Sequence, residues 1–158
     1  MFNQLLPRVI DNSNHGPRIA LWLFGLVALA KSAMSVNLIF NGYVVATTAD
    51  GVPLDTYPLA AARTIVALFA IWGLAHLLLS LICFLVLVRY RSIVPFMFLL
   101  LVVEHLSRKL ILQFVPVIRA GHPPAFAFNL ALLSLMILGL GLSLWSPAGS
   151  NSRRVAVH

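Results

Sequence analysis

Residues 93 to 118 read IVPFMFLLLVVEHLSRKLILQFVPVI, a run apolar at both ends and interrupted in its middle by Glu104, His105, Arg108 and Lys109. At ~1.5 Å per residue this run is long enough to cross a ~30 Å hydrocarbon core. Taken as a helix, it sets Glu104 and Arg108 four residues apart, and His105 and Lys109 likewise, so acid and base can pair along one helix edge. The four side chains cover an arc of about 140° at 100° per residue. Lipid cannot face such an arc, because a charge at the bilayer centre costs from ~2.5 to more than 10 kcal/mol. The arc therefore turns inward, and other helices must meet it.

The rest of the chain supplies them. Of its 158 residues 61% are hydrophobic and only 9% charged, and the mean hydropathy is +0.98, outside the balance of a soluble domain. The apolar residues gather into four runs, giving expected helices at about 19–41, 60–88, 93–118 and 124–145. The expected fold class is an all-α integral membrane protein, a four-helix transmembrane bundle over 18–146. Tails at 1–17 and 147–158 flank it. Asp55 or Thr56 is placed to cap the second helix, with Pro58 in its first turn, and Pro123-Pro124 opens the fourth in the same way. Arg18, the apolar stretch after it and Ala28-Leu29-Ala30 resemble a cleavable leader. The apolar pattern resumes beyond Lys31 through Val36, Leu38, Ile39 and Phe40, so the segment is read as a retained helix.

The formal charge of +7 would point to nucleic acid in a soluble protein. Here most basic residues stand at the ends of apolar runs, which is a topology signal, and no nucleic acid partner is expected. Arg8, Arg18, Arg89, Arg91, Arg153 and Arg154 fall on the side that holds both termini, against Arg63 and Arg119 on the other. Both termini are therefore expected in the cytoplasm, and the protein as multi-pass in a bacterial inner membrane. Arg89 and Arg91 would meet anionic head groups. The outer loop, 42–56, carries Asp50-Gly51 and Pro53 as turn signals. It is read either as a solvated connection or as a lid. Cys83 is the only cysteine, which excludes an internal disulfide and a cysteine zinc site.

Counting residues from the cytoplasmic helix ends places Lys31, His76, Glu104 and His105 at a common depth of roughly 16 to 18 Å, the membrane centre. Asn37, Arg108, Lys109 and Asn129 form a second layer at roughly 22 to 27 Å. Lys31, Arg108 and Lys109 stand against one carboxylate, an excess of two positive charges if every group is ionised. Neutral lysine, water or a bound anion can relieve it. The first reading is a buried cationic site for an anionic or lipid-like ligand. It is formed by Lys31, His76, Glu104, His105, Arg108 and Lys109, with Asn37 and Asn129 as added donors.

The alternative is an accessory or assembly protein in which Glu104, Arg108 and Lys31 form an ion-pair network that only holds the helices together, with the histidines as hydrogen-bonding filler. Lesser readings are a b-type haem held by His76 and His105, an embedded enzyme, and a proton or ion path. Glu104, His76 and His105 could offer three metal ligands, but three nearby cations would repel a metal and none is expected; no catalytic residue is expected, because no nucleophile motif, phosphate loop or paired carboxylates accompany the cluster. Trp22, Trp72 and Trp145 read as packing or interface anchors, and Gln113, pointing away from the Glu104 edge, as a contact between copies; a partner within a membrane complex is the other association considered. The topology has a direct test: reporter fusions at residues 1 and 158 are expected to report the cytoplasm, and a fusion within 42–56 the opposite side.

Overall fold

The computed structural model describes residues 16–120 and 124–145, together with Leu5, Pro7 and 9–13. Arg8, Pro123, Arg153, Arg154 and the tail 147–158 lie outside the described residues. Among the described residues the chain is all-helical. Four long helices run in the order α1 (Arg18–Phe40), α2 (Leu59–Arg89), α3 (Val94–Phe114) and α4 (Ala125–Leu144). Three of them, α1, α2 and α4, are long and apolar enough to cross a membrane, as expected of a helical membrane protein. The third, α3, is the helix that carries Glu104, Arg108 and Lys109.

Two boundaries differ from the sequence reading for definable reasons. Helix α3 ends at Phe114 rather than near 118. Pro116 lacks the N–H a helix would use there, and it forces the preceding Val115 out of the helical region, to φ −123° and ψ 79°. Helix α2 begins at Leu59 after Pro58 without a side-chain cap. The expected caps are used elsewhere: the Thr56 hydroxyl donates to the Pro53 carbonyl at 2.8 Å, and the Asp55 carboxylate accepts from the Tyr43 hydroxyl. That bond to an acidic neighbour raises the Tyr43 phenol above its ordinary value.

Helix α1 packs most extensively on α2, α4 packs on both α1 and α3, and α3 approaches α2 only sparsely. The ring of helices is therefore tight on three sides and loose between α2 and α3. Along the bundle axis the contents change in layers. Toward the α2–α3 turn lies one apolar core of Phe24, Val27, Ala28, Cys83, Val86, Met97, Phe98, Leu101 and Met136, among others. Phe24 and Phe98 meet edge to face with centroids 5.1 Å apart, the favoured aromatic geometry.

The end of the bundle opposite the α2–α3 turn, called the outer end below for its place away from that turn, has its own small cluster, in which Ala46, Val52 and Leu54 pack with Ala62 of α2. The 42–56 segment forms a cap of short helical turns. Gly51 stands there at φ 70°, a conformation favouring glycine. Its carbonyl accepts from Ala120 N–H at 2.7 Å, which ties the strap after α3 to the cap.

The outside of the bundle is apolar. Trp22, Leu26 and Leu29 of α1 and Leu68, Ile71, Leu78, Leu81 and Leu85 of α2 are all exposed, far more than water tolerates in one contiguous surface. On α3 the exposed Leu100, Val103, Leu106, Leu110 and Phe114 recur at helical spacing as a single stripe, opposite the charged arc.

Helix proximity generates a paired prediction. A Cβ built on Gly139 would overlap the Phe98 ring, and that ring is fully buried against Phe24. Gly139→Ala is expected to destabilise the bundle by about 1–3 kcal/mol through overpacking. Gly141→Ala, which meets nothing within 4 Å, is expected to be neutral or slightly stabilising. Unfolding of both variants in mild detergent checks this.

Candidate functional site: a buried charge layer beneath an apolar cavity

Between the apolar core and the outer cap lies a layer of charge. Lys31 is the buried cation of α1, 6% exposed, and its Nζ donates to Glu104 Oε2 at 2.7 Å. The other carboxylate oxygen, Oε1, is 3.0 Å from His76 Nε2 on α2. Three helices are joined through one carboxylate. One turn beyond each partner a serine satisfies its hydroxyl on the helix backbone, Ser35 on the Lys31 carbonyl and Ser80 on the His76 carbonyl. The pairing differs from the one expected along α3, since Glu104 turns to α1 and α2 instead of to Arg108. An ion pair between helices also satisfies Lys31, which a bond within α3 would have left buried and alone.

Arg108 consequently has no carboxylate partner among the described residues. Its Nη2 donates to His105 Nδ1 at 3.2 Å and to Asn129 Oδ1 at 3.5 Å, and the guanidinium lies 5.2 Å from the centroid of the Trp72 ring, within cation–π range. An arginine always donates, so His105 Nδ1 is the accepting nitrogen and the ring hydrogen resides on Nε2. Lys109 does not pair with His105. It is exposed, with Nζ 5.8 Å from the Phe126 ring centroid.

These groups line a cavity of about 1000 Å³ between α2, α3 and α4, beneath the outer cap. Its walls are mainly apolar: Ile65, Phe69 and Trp72 from α2, Ile111 and Leu112 from α3, Phe126, Leu130 and Leu133 from α4. Glu104, His105, Arg108, Lys109 and Asn129 supply the polar groups, with Asp50 and Arg119 from the outer segments. The loose α2–α3 approach leaves the space. The Asp50 carboxyl is raised above its ordinary value by burial, against the opposing pull of Arg119 and Arg108. With both Glu104 oxygens already engaged, the cations facing the cavity outweigh the acid available to neutralise them.

Most of the sequence-expected residues come together. Lys31, His76 and Glu104 form the bonded layer, and His105, Arg108 and Asn129 the group above it. Asn37 does not join them: it is exposed on α1 and its Oδ1 accepts from Asn41 Nδ2 at 2.8 Å. Gln113, expected at an outer contact, is exposed and lines the cavity. Trp72, expected to be packing, stacks on Arg108 and stands edge-on to His76, 5.1 Å between centroids. Its position four residues before His76 puts it on the same α2 face, one turn outward, at the depth of Arg108. That signal was available in the sequence. Asp50 and Arg119 carried none, because both sit on irregular segments.

Of the two histidines considered for a haem, His76 has Nδ1 3.1 Å from the Trp72 carbonyl and Nε2 3.0 Å from Glu104 Oε1, and His105 has Nδ1 3.2 Å from Arg108 Nη2. Among the described residues no group of three or more His, Cys, Asp or Glu could hold a metal. No family model, curated protein or solved structure matches the chain.

The shared carboxylate yields a double-mutant prediction. Lys31→Met and Glu104→Gln are each expected to cost about 3–5 kcal/mol, since each leaves a charge without its partner. The double variant is expected to cost clearly less than their sum. Thermal unfolding in one detergent, run on all four proteins, measures the coupling.

Proposed function

We propose that this chain is a small four-span membrane protein that binds an anionic, lipid-like ligand in the cavity between α2, α3 and α4. The observation that carries the reading is Arg108. A guanidinium that faces a largely apolar cavity of about 1000 Å³ without a carboxylate partner among the described residues is a built receptor for a carboxylate, phosphate or sulfonate group. The ligand's apolar part lies along Phe69, Leu130 and Leu133, where burial of apolar surface adds affinity.

The reading includes α3 as the fourth span. Its exposed apolar stripe is the face a lipid-contacting helix needs, and its charges turn inward, where they are tolerable. Both termini are then cytoplasmic and the capped mouth faces outward, with the plasma membrane of a bacterium as the setting. Membrane lipid is the nearest source of such a ligand. No catalytic role is assigned to the site. The accessory-protein reading keeps one specific observation in its favour, the Lys31–Glu104–His76 layer that links three helices. That layer leaves the cavity, and an Arg108 without a carboxylate partner among the described residues, without a purpose.

Native mass spectrometry of protein extracted in mild detergent tests the proposal. The wild type is expected to retain a bound anionic amphiphile, and Arg108→Gln to retain it about tenfold less or worse, the loss of one charge-assisted hydrogen-bonding group. Lys109→Ala is expected to weaken retention less, because Lys109 is exposed and rests on Phe126. Equal retention by wild type and Arg108→Gln, or no anion on either, counts against ligand binding.

A further inference from the structure

A lipid held at Arg108 has little room beneath its head. Glu104 lies four residues below Arg108 on α3, ~6 Å of helix rise, and there the Lys31–Glu104–His76 layer joins α1, α2 and α3. Beyond that layer the bundle is packed with Phe24, Phe98, Leu101 and Met136. One leaflet of a ~30 Å hydrocarbon core is ~15 Å thick, so a membrane acyl chain is longer than the space between Arg108 and the layer. In the other direction α3 ends six residues past Arg108, at Phe114, ~9 Å of rise, and the cap and strap meet through the Gly51–Ala120 bond. The chain has to leave the bundle sideways.

The ring of helices is loose between α2 and α3, and on that side the cavity wall comes to the surface. Ser107 and Ile111, one turn apart on α3, both line the cavity and are exposed. At 100° per residue they stand between the inward Glu104, which bonds α2, and the outward Leu106 and Leu110. Lys109, which rests on Phe126 of α4, is on the opposite flank of Glu104. Ser107 and Ile111 are therefore the α3 rim of the opening, and Ile65, Phe69 and Trp72 are the cavity wall supplied by α2. One hydroxyl among these apolar and aromatic groups suits the passage of hydrocarbon better than that of a hydrated ion. Leu100, seven residues before Ser107 and on the same face, is also exposed. A chain that leaves over the rim continues along it toward the α2–α3 turn.

We infer that the ligand is a membrane lipid with an anionic head, bound by that head at Arg108 while its acyl chain leaves the bundle between α2 and α3 and rejoins the bilayer. The inference rests on the anion-binding reading above and adds the class of the ligand and the way it reaches the site. The cavity suits such a head. Arg108, Lys109 and Arg119 line it together with Asp50, while Glu104 is held by Lys31 and His76, and a phosphate offers a guanidinium several oxygens at once. The chain stays largely in hydrocarbon, so the protein selects by the head and takes the lipid sideways from the leaflet at the outer end. A water-soluble anion carries the same charge with no chain to hold in the opening.

The experiment uses the full chain in lipid nanodiscs of phosphatidylcholine with a minor share of phosphatidylglycerol. A benzophenone amino acid replaces Ser107 or Ile111 on the rim, or Leu110 on the outward stripe as the control, and mass spectrometry identifies the lipid attached after illumination. At the two rim positions phosphatidylglycerol is expected about tenfold above its share of the disc, the discrimination that one charge-assisted contact supplies. At Leu110 it is expected within about twofold of that share, because a lipid there does not reach Arg108. Arg108→Gln is expected to bring the rim positions down to the control level. That variant also alters the contacts to His105 and Asn129, so a second measurement leaves Arg108 in place. A short, water-soluble bromoalkylsulfonate is added, and it is expected to displace the lipid and remove the enrichment.

Enrichment at the rim no greater than at Leu110 overturns the lipid inference, as does enrichment that survives both Arg108→Gln and the sulfonate. The same sulfonate separates this failure from failure of the anion reading. In a chain with Trp22→Phe and Trp145→Phe, Trp72 beside Arg108 is the remaining tryptophan and reports sulfonate binding by quenching. Quenching that Arg108→Gln abolishes, without phosphatidylglycerol enriched at the rim, overturns the lipid inference and leaves a site for soluble anions. Neither quenching nor enrichment overturns both readings together.

Discussion

Lys31 Nζ and Glu104 Oε2 meet at 2.7 Å in the middle of a bundle whose outer surface is hydrocarbon-like, and the rest of the arrangement follows from their need for each other. A buried cation or carboxylate left alone costs several kcal/mol, and together they are tolerable only with good geometry and further hydrogen bonds. His76 provides the further bond from a third helix. Because one carboxylate serves two partners on two helices, rotating α1, α2 or α3 by a fraction of a turn would strand a charge. The layer therefore fixes the rotation of three helices, a task that apolar side chains facing one another would leave less well determined.

The consequence for the cavity is geometric. Below the layer Phe24, Phe98, Met136 and their neighbours fill the bundle. Above it the sparse approach of α2 and α3 leaves a cavity that Val52 of the cap helps to line. The engagement of Glu104 by α1 and α2 removes the acid that would otherwise neutralise Arg108 four residues away. Structural demand at one level of the bundle thus creates chemical demand at the next, and this links the charge layer to the proposed anion site.

The sequence carried much of this. Residue counting alone put Lys31, His76 and Glu104 at one depth, because helix rise is constant and the spans are short enough for boundary errors of a few residues to matter little. Counting could not tell which helix would claim the Glu104 carboxylate. The i,i+4 rule pointed to Arg108, and it describes isolated helices, where no buried Lys31 competes. Counting also placed Asn37 at the depth of Arg108 without saying that it faces away from the bundle, where it bonds Asn41. The end of α3 was legible in Pro116, whose effect on Val115 is local.

By itself the sequence determined the helical membrane class and the inward turn of the charged arc on α3, since both follow from the cost of placing polar groups in hydrocarbon, a property of single residues and single helices. Only the tertiary structure decided the partners: Glu104 with Lys31 and His76, Arg108 with Trp72, His105 and Asn129, and the cap with the strap through Ala120 and Gly51. Partner choice depends on how the helices are rotated and how far apart they stand. Those quantities emerge when all the helices pack at once, and no stretch of the chain encodes them alone.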